Sequence, residues 1–141
     1  MNKTGPIIII EDDQDDQEFL SEVFKRLQYK NEIIFFGDGE AALTYLTENK
    51  TEPFIIFSDI NMPKLNGMEL RAKIHENEEL RIKSIPYLFF STVAEQDNVV
   101  DAYSKSVQGF FIKPNSFREL QDIIKTIVEY WQKCVSPDYV K

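Results

Sequence analysis

Apolar residues in this chain follow two rhythms. Five short runs are almost unbroken: PIIII at residues 6–10, EIIFF at 32–36, PFIIFS at 53–58, PYLFFS at 86–91 and GFFIK at 109–113. Each is rich in β-branched or aromatic side chains and is bounded by Gly, Pro, Asp or Asn, the composition of strands flanked by turns. Their lack of polar alternation predicts strands covered on both faces, as in a parallel sheet. Between them, apolar residues recur at helical spacing. Phe19, Leu20, Val23, Phe24 and Leu27 make one stripe behind an acidic start at Asp15 and Asp16, which read as helix-start charges. Phe117, Leu120, Ile123, Ile124, Ile127, Val128 and Trp131 make a longer stripe. Weaker helical patterns cover residues 40–48, 68–75 and 94–104, the last thin and carrying Val99 and Val100, which disfavour helix. Five strands alternating with five helices predict an α/β sandwich of three layers around a parallel sheet.

Composition narrows the setting. With 141 residues, the chain has the length of one domain with its own core. Hydrophobic residues at 43% and charged residues at 28% suit a globular protein rather than a disordered one. A net charge of -8 argues against a sequence-independent grip on nucleic acid, which needs a basic face, but leaves room for a cation site. One cysteine, Cys134, short apolar runs and no signal-like start predict a cytoplasmic protein without membrane spans.

In an open parallel sheet the ligand site lies outside the carboxyl ends of the strands. The residues that follow each run therefore carry the chemistry. Glu11, Asp12 and Asp13 follow the first run and Asp59 the third; Ser91 closes the fourth, with Thr92 after it; Lys113 and Pro114 end the fifth. Asp38, after the second run, lies at the margin of this group. If the sheet forms as read, Glu11, Asp12 and Asp59 converge. Carboxylates so close raise one another's pKa unless a cation joins them. An oxygen-only, partly hydrated cluster suits Mg²⁺. Such an ion leaves Asp59 ionised and able to attack phosphorus, while Lys113 neutralises phosphoryl oxygens and Ser91 donates a hydrogen bond. Read singly, Asp59 could be a turn-starting acid and Ser91 a turn cap; Asp13 reads as a solvated neighbour of the site, and His75 as solvent-facing.

The motifs IIIIEDD, FSDINMPKLNG, PYLFFST and GFFIKP together closely resemble the receiver domain of two-component response regulators, over residues 7–131. The D-x-x-M-P-x-x-x-G segment, here Asp59, Met62, Pro63 and Gly67, is the most specific part. The resemblance implies a flavodoxin-like (βα)5 fold with a five-stranded parallel sheet of order 2-1-3-4-5. It implies Asp59 as phosphoacceptor, Glu11 and Asp12 with the Asn61 backbone carbonyl as Mg²⁺ ligands (Mn²⁺ being able to substitute), Ser91 as switch hydroxyl, Lys113 as the phosphoryl-contacting lysine, and Phe110 as the aromatic switch. It also implies a phosphoacceptor rather than a turnover enzyme, with at most self-phosphorylation from small donors and slow autodephosphorylation. Thr92, and Val93 with no polar group to orient water, point to a long-lived phosphorylated state.

The receiver domain is expected over residues 1–134, and residues 135–141 as a short tail with no effector domain. The signal is then read by a partner, through the fourth helix, fifth strand and fifth helix, with Tyr103, Ser106 and Val107 as candidate contacts. Upstream, the resemblance implies a sensor histidine kinase or a histidine phosphotransfer protein as phosphodonor. Two alternatives stand beside this: a phosphorelay intermediate that hands its phosphoryl group to a histidine phosphotransfer protein, and a docking module that never takes up phosphate. An EF-hand reading of DDQDDQEFL fails, because Gln17 and Val23 hold the glycine and closing-glutamate positions.

Overall fold

The computed structural model describes residues 1–48, 50–92 and 96–137. All five apolar runs are strands: β1 (Ile7–Ile10), β2 (Ile33–Phe36), β3 (Ile55–Ser58), β4 (Tyr87–Ser91) and β5 (Gly109–Ile112). They pair in parallel in the order β2-β1-β3-β4-β5, as the resemblance implied. The described helices are α1 (Gln14–Leu27), α2 (Gly39–Glu48), α3 (Gly67–Glu76), α4 (Glu78–Ile82), α5 (Gln96–Ser104) and α6 (Phe117–Lys133). The sixth helix corrects the expectation of five. It is the single turn α4, started by the Asn77 side chain accepting from the Leu80 N–H and anchored by buried Leu80. One turn offers too few positions for a periodic signal to stand out. The two faces of the sheet carry separate cores. Ile8, Ile10, Ile56, Tyr87 and Phe89 pack with α2, α3, α4 and α5, whereas Ile7, Ile9, Ile55, Phe57, Leu88 and Phe90 pack with α1 and α6. Alternate strand residues thus point to opposite layers, and both layers are apolar, which is why the runs show no alternation.

Parallel strands linked by helices bring every β–α turn to one rim. There α1, α3 and α6 begin, each capped: Asp13 accepts from the Asp16 N–H, Asn66 forms a reciprocal capping box with Glu69, and Ser116 accepts from the Glu119 N–H. These caps satisfy N–H groups that a helix start leaves without intrahelical partners, and they set where each first turn stands. Asp38 has a similar local task, accepting from the Ala41 N–H at 2.7 Å at the start of α2.

One surface expectation needs correction. Val107 was expected to contact a partner, yet it is buried in the core shared with α3 and α5. Ser106 adopts a left-handed φ of 64°, and at this turn the chain passes from α5 into the apolar interior ahead of β5. Tyr103 and Ser106 remain exposed. None of the described helices is long and apolar enough to cross a membrane.

Candidate functional site

β1 and β3 are adjacent, and their register aligns Ile10 with Ser58. The next residue on each strand is an acid, so Glu11 and Asp59 leave the sheet side by side, about one strand spacing apart. The Asp59 N–H donates to the Ile10 carbonyl at 2.9 Å and the Glu11 N–H to the Phe36 carbonyl at 2.9 Å, which fixes both backbones at the rim. Asp12 follows on the exposed side. The carboxylate oxygens of Glu11, Asp12 and Asp59 all lie within 4.8 Å of one another.

Lys113 reaches this cluster from the end of β5. Its N–H donates to the Ser91 carbonyl at 2.8 Å, so the ends of β4 and β5 move together. Its ammonium donates to Glu11 Oε2 and, at 2.9 Å, to Asp16 Oδ2, and lies 3.5 Å from Asp59 Oδ2. The other Asp59 oxygen accepts the Ile60 N–H at 2.8 Å, which orients the carboxylate. Burial pushes the Glu11 carboxyl up to about 7, against the downward pull of Lys113 and of the Asp13 N–H. Burial also raises the Asp59 pKa, opposed chiefly by Lys113. Burial works to lower the Lys113 pKa, but the hydrogen bonds it donates to Glu11 and Asp16 outweigh it and the net shift is upward. The site therefore holds a charged lysine among carboxyls that are costly to ionise together. Oxygen donors grouped this closely, with one acid buried and one exposed, fit a hard divalent cation that keeps part of its water shell.

The expected residues are distributed as follows. Glu11, Asp12, Asp59 and Lys113 are brought together. Ser91 is buried at the end of β4, beside β3. Phe110 is half-buried and packs inward, its ring 6.0 Å from that of Phe89. Asn61 is exposed two residues beyond Asp59, and Thr92 is exposed after β4; Val93 lies outside the described residues.

Two features escaped the sequence reading. Asp16, taken as a helix-start charge, is also a partner of Lys113. A signal existed: Asp16, Leu20 and Val23 share the i, i+4, i+7 register of the buried stripe, so this acid faces the sheet. The second is the physical task of Gly67, which entered only as a motif letter. Its N–H donates to the Ile60 carbonyl at 2.8 Å, and a Cβ there would stand 2.2 Å from the Asp59 carbonyl oxygen and 2.7 Å from Phe89 Cε1. The start of α3 is thus pressed against the backbone of Asp59.

Comparison with known proteins gives the same picture. The model of the response regulator receiver domain matches residues 7–125. The response regulator Rcp1 of Synechocystis is 30% identical over 140 residues, covering 96% of this chain and 94% of Rcp1. A probable methanogenesis regulatory protein, FilR2 of Methanothrix harundinacea, is 33% identical over 129 residues, covering 89% of this chain and 82% of that protein. Among solved structures, the phosphorylated cyanobacterial phytochrome response regulator RcpA superposes with a TM-score of 0.84 at 27% identity, over 94% of this chain and 98% of its own. The Mn²⁺-bound form of Rcp1 superposes with a TM-score of 0.81 at 29% identity, over 94% and 98% of the two chains.

Proposed function

The chain belongs to the response regulator receiver family of two-component signalling, and from this premise we propose that Asp59 accepts a phosphoryl group in a Mg²⁺-dependent reaction. The observation that carries the proposal is the single ammonium of Lys113 standing between Asp59 and Glu11, with Asp12 completing the acidic cluster. A carboxylate oxygen of Asp59 attacks the phosphorus of a phosphohistidine on a sensor kinase or phosphotransfer protein. The O–P bond forms as the P–N bond breaks, and the leaving imidazole takes up a proton. Glu11, Asp12, Asp59 and the Asn61 carbonyl would hold the cation, which when bound neutralises charge on the phosphoryl oxygens. Lys113, 3.5 Å from Asp59, would supply a second positive charge to the phosphoryl oxygens. The Ile60 N–H keeps the Asp59 carboxylate oriented for attack. The domain is in this reading a phosphoacceptor and not a turnover enzyme.

Output then follows from movement of Ser91 and Phe110. Ser91 shares a backbone bond with Lys113, and Phe110 rests on Phe89 in the core next to α5. A shift at the rim is passed to the α5–β5–α6 surface, which is the face given by the fourth predicted helix, fifth strand and last helix. Val100, Tyr103 and Ile112 are exposed large side chains on these elements and are proposed to meet the downstream protein.

The test is intact-mass spectrometry after incubation with acetyl phosphate and Mg²⁺, beside Asp59→Asn. A phosphoryl-sized gain in the wild type that disappears without Mg²⁺ and in the variant supports the reading. Partner binding indifferent to Asp59→Asn, with no mass gain under any condition, would replace it with the docking module.

A further inference from the structure

Lys113 is held by one acid more than phosphoryl chemistry at Asp59 needs. Its ammonium donates to Glu11 and to Asp16, the latter at 2.9 Å, while the nearest Asp59 oxygen lies at 3.5 Å. Charge-assisted bonds of this kind close to about 2.7–2.9 Å, so in the resting site Lys113 is bonded to Asp16 and only near Asp59. Asp16 is not one of the three grouped acids. It stands in the first turn of α1, where its N–H is tied to the Asp13 carboxylate at 3.0 Å, so its position is set by the helix cap. Side-chain exposure separates the two bonded acids sharply: 3% for Glu11 against 38% for Asp16.

We infer that Asp16 is a positioning residue that holds the Lys113 ammonium away from Asp59 and is released when a phosphoryl group arrives. The inference rests on the reading of Asp59 as phosphoacceptor. The ammonium has three N–H donors, two of them taken by Glu11 and Asp16. The third can serve a phosphoryl oxygen on Asp59, but drawing the ammonium closer than its present 3.5 Å from Asp59 pulls against the two bonds it already makes. Glu11 is the buried partner and without Lys113 would depend wholly on the cation for its counter-charge, whereas Asp16 is half-exposed, so the Asp16 bond is the cheaper one to lengthen. Asp16 can be rehydrated where it stands, and as an acid at a helix start it keeps a favourable place without the lysine. The Lys113–Asp16 bond therefore opposes phosphorylation, and its loss accompanies it.

The experiment uses the full chain and beryllofluoride, an anion that mimics a phosphoryl group on a carboxylate, titrated at saturating Mg²⁺ and followed by ¹⁹F NMR. Asp16→Asn removes the competing charge. Asp15→Asn removes the same charge from the same turn at an exposed position where the structure shows no bond to Lys113, and so measures the general field. Asp16→Glu restores the carboxylate. Asp16→Asn is expected to tighten beryllofluoride binding about two- to fivefold over Asp15→Asn, the range of a half-exposed ion pair, and Asp16→Glu to return towards wild type. Before any anion is added, the ¹³Cε resonance of Lys113 is expected to move in Asp16→Asn and to stay in place in Asp15→Asn. Equal affinities for the two asparagine variants, or weaker binding in Asp16→Asn, overturn the inference while leaving Asp59 as acceptor. A wild type that binds no beryllofluoride removes the Asp59 reading itself, and the inference with it.

Discussion

Replacing Gly67 by alanine tests how the site is built. The added Cβ meets the Asp59 carbonyl oxygen at 2.2 Å and Phe89 Cε1 at 2.7 Å. A carbon–oxygen contact relaxes only near 3.3 Å, so the backbone of Asp59 and the start of α3 must part by about 1 Å. Neither neighbour yields easily. The Asp59 N–H is bonded to β1, and Phe89 is fully buried between Tyr87 and Phe110. Overpacking of this kind costs about 1–3 kcal/mol. Gly67 opens its helix, so alanine recovers little of its usual helix advantage, and a net loss of about 2 kcal/mol is expected. For a chain of this size that lowers Tm by about 6–8 °C. The residue displaced is the acceptor itself, and a misplacement of about 1 Å can slow a positioned reaction by about 10²-fold. Thermal melting by circular dichroism and the rate of mass gain with acetyl phosphate read the two effects. Gly37→Ala is the control, because a Cβ there meets nothing within 4 Å; it should stay within about 0.5 kcal/mol of wild type. A Gly67→Ala protein with wild-type Tm and wild-type phosphorylation rate would refute the view that α3 braces Asp59.

Two further outcomes are expected. Glu11 has its pKa raised by burial from 4.5 to about 7, so its contribution to stability is full below the lower value and is lost as pH rises through the upper one. Asp59 shifts in the same direction, and Lys113 stays charged on both sides of that window. Without divalent cation, Tm should therefore fall between about pH 5 and pH 8, Glu11→Gln should flatten the fall, and Mg²⁺ should raise Tm more at the higher pH; a metal-free wild-type Tm that falls no more steeply across this window than that of Glu11→Gln contradicts the burial argument. Arg71 is buried, donates from Nε to the Lys105 carbonyl at 3.0 Å and from Nη2 to the Ser106 carbonyl at 2.7 Å, and stacks over Tyr87. Arg71→Met should cost about 2–3 kcal/mol in urea denaturation and loosen amide protection around Val107, and a loss below about 0.5 kcal/mol would show that the turn after α5 holds without it.

The parallel sheet was legible because strands covered on both faces must be apolar at every position, and the five runs are. The rim acids and Lys113 were legible for a topological reason: parallel connections send all strand ends to one side, so residues that follow the runs meet whatever their distance along the chain. Lys113 and Glu11, 102 residues apart, are the clearest case. Helix starts were partly readable: Asp15 and Asp16 stand in the first turn of α1 as expected, while the capping acid is Asp13, which had read only as a neighbour of the site.

Other features depended on three-dimensional packing. Composition and spacing cannot distinguish an acid that only faces a helix dipole from one that also bonds an ammonium arriving from β5, and Asp16 does both. Val107 looked like any apolar residue in a loop until the left-handed turn at Ser106 placed it in the core. Gly67 has no special φ to explain it, only the backbone of Asp59 pressed against it. The sequence by itself determined which residues stand on the rim, since that follows from local pattern and the handedness of parallel connections. Distances of a few tenths of an ångström between side chains from different elements decide which acid Lys113 holds at rest, and those distances exist only once both cores have packed.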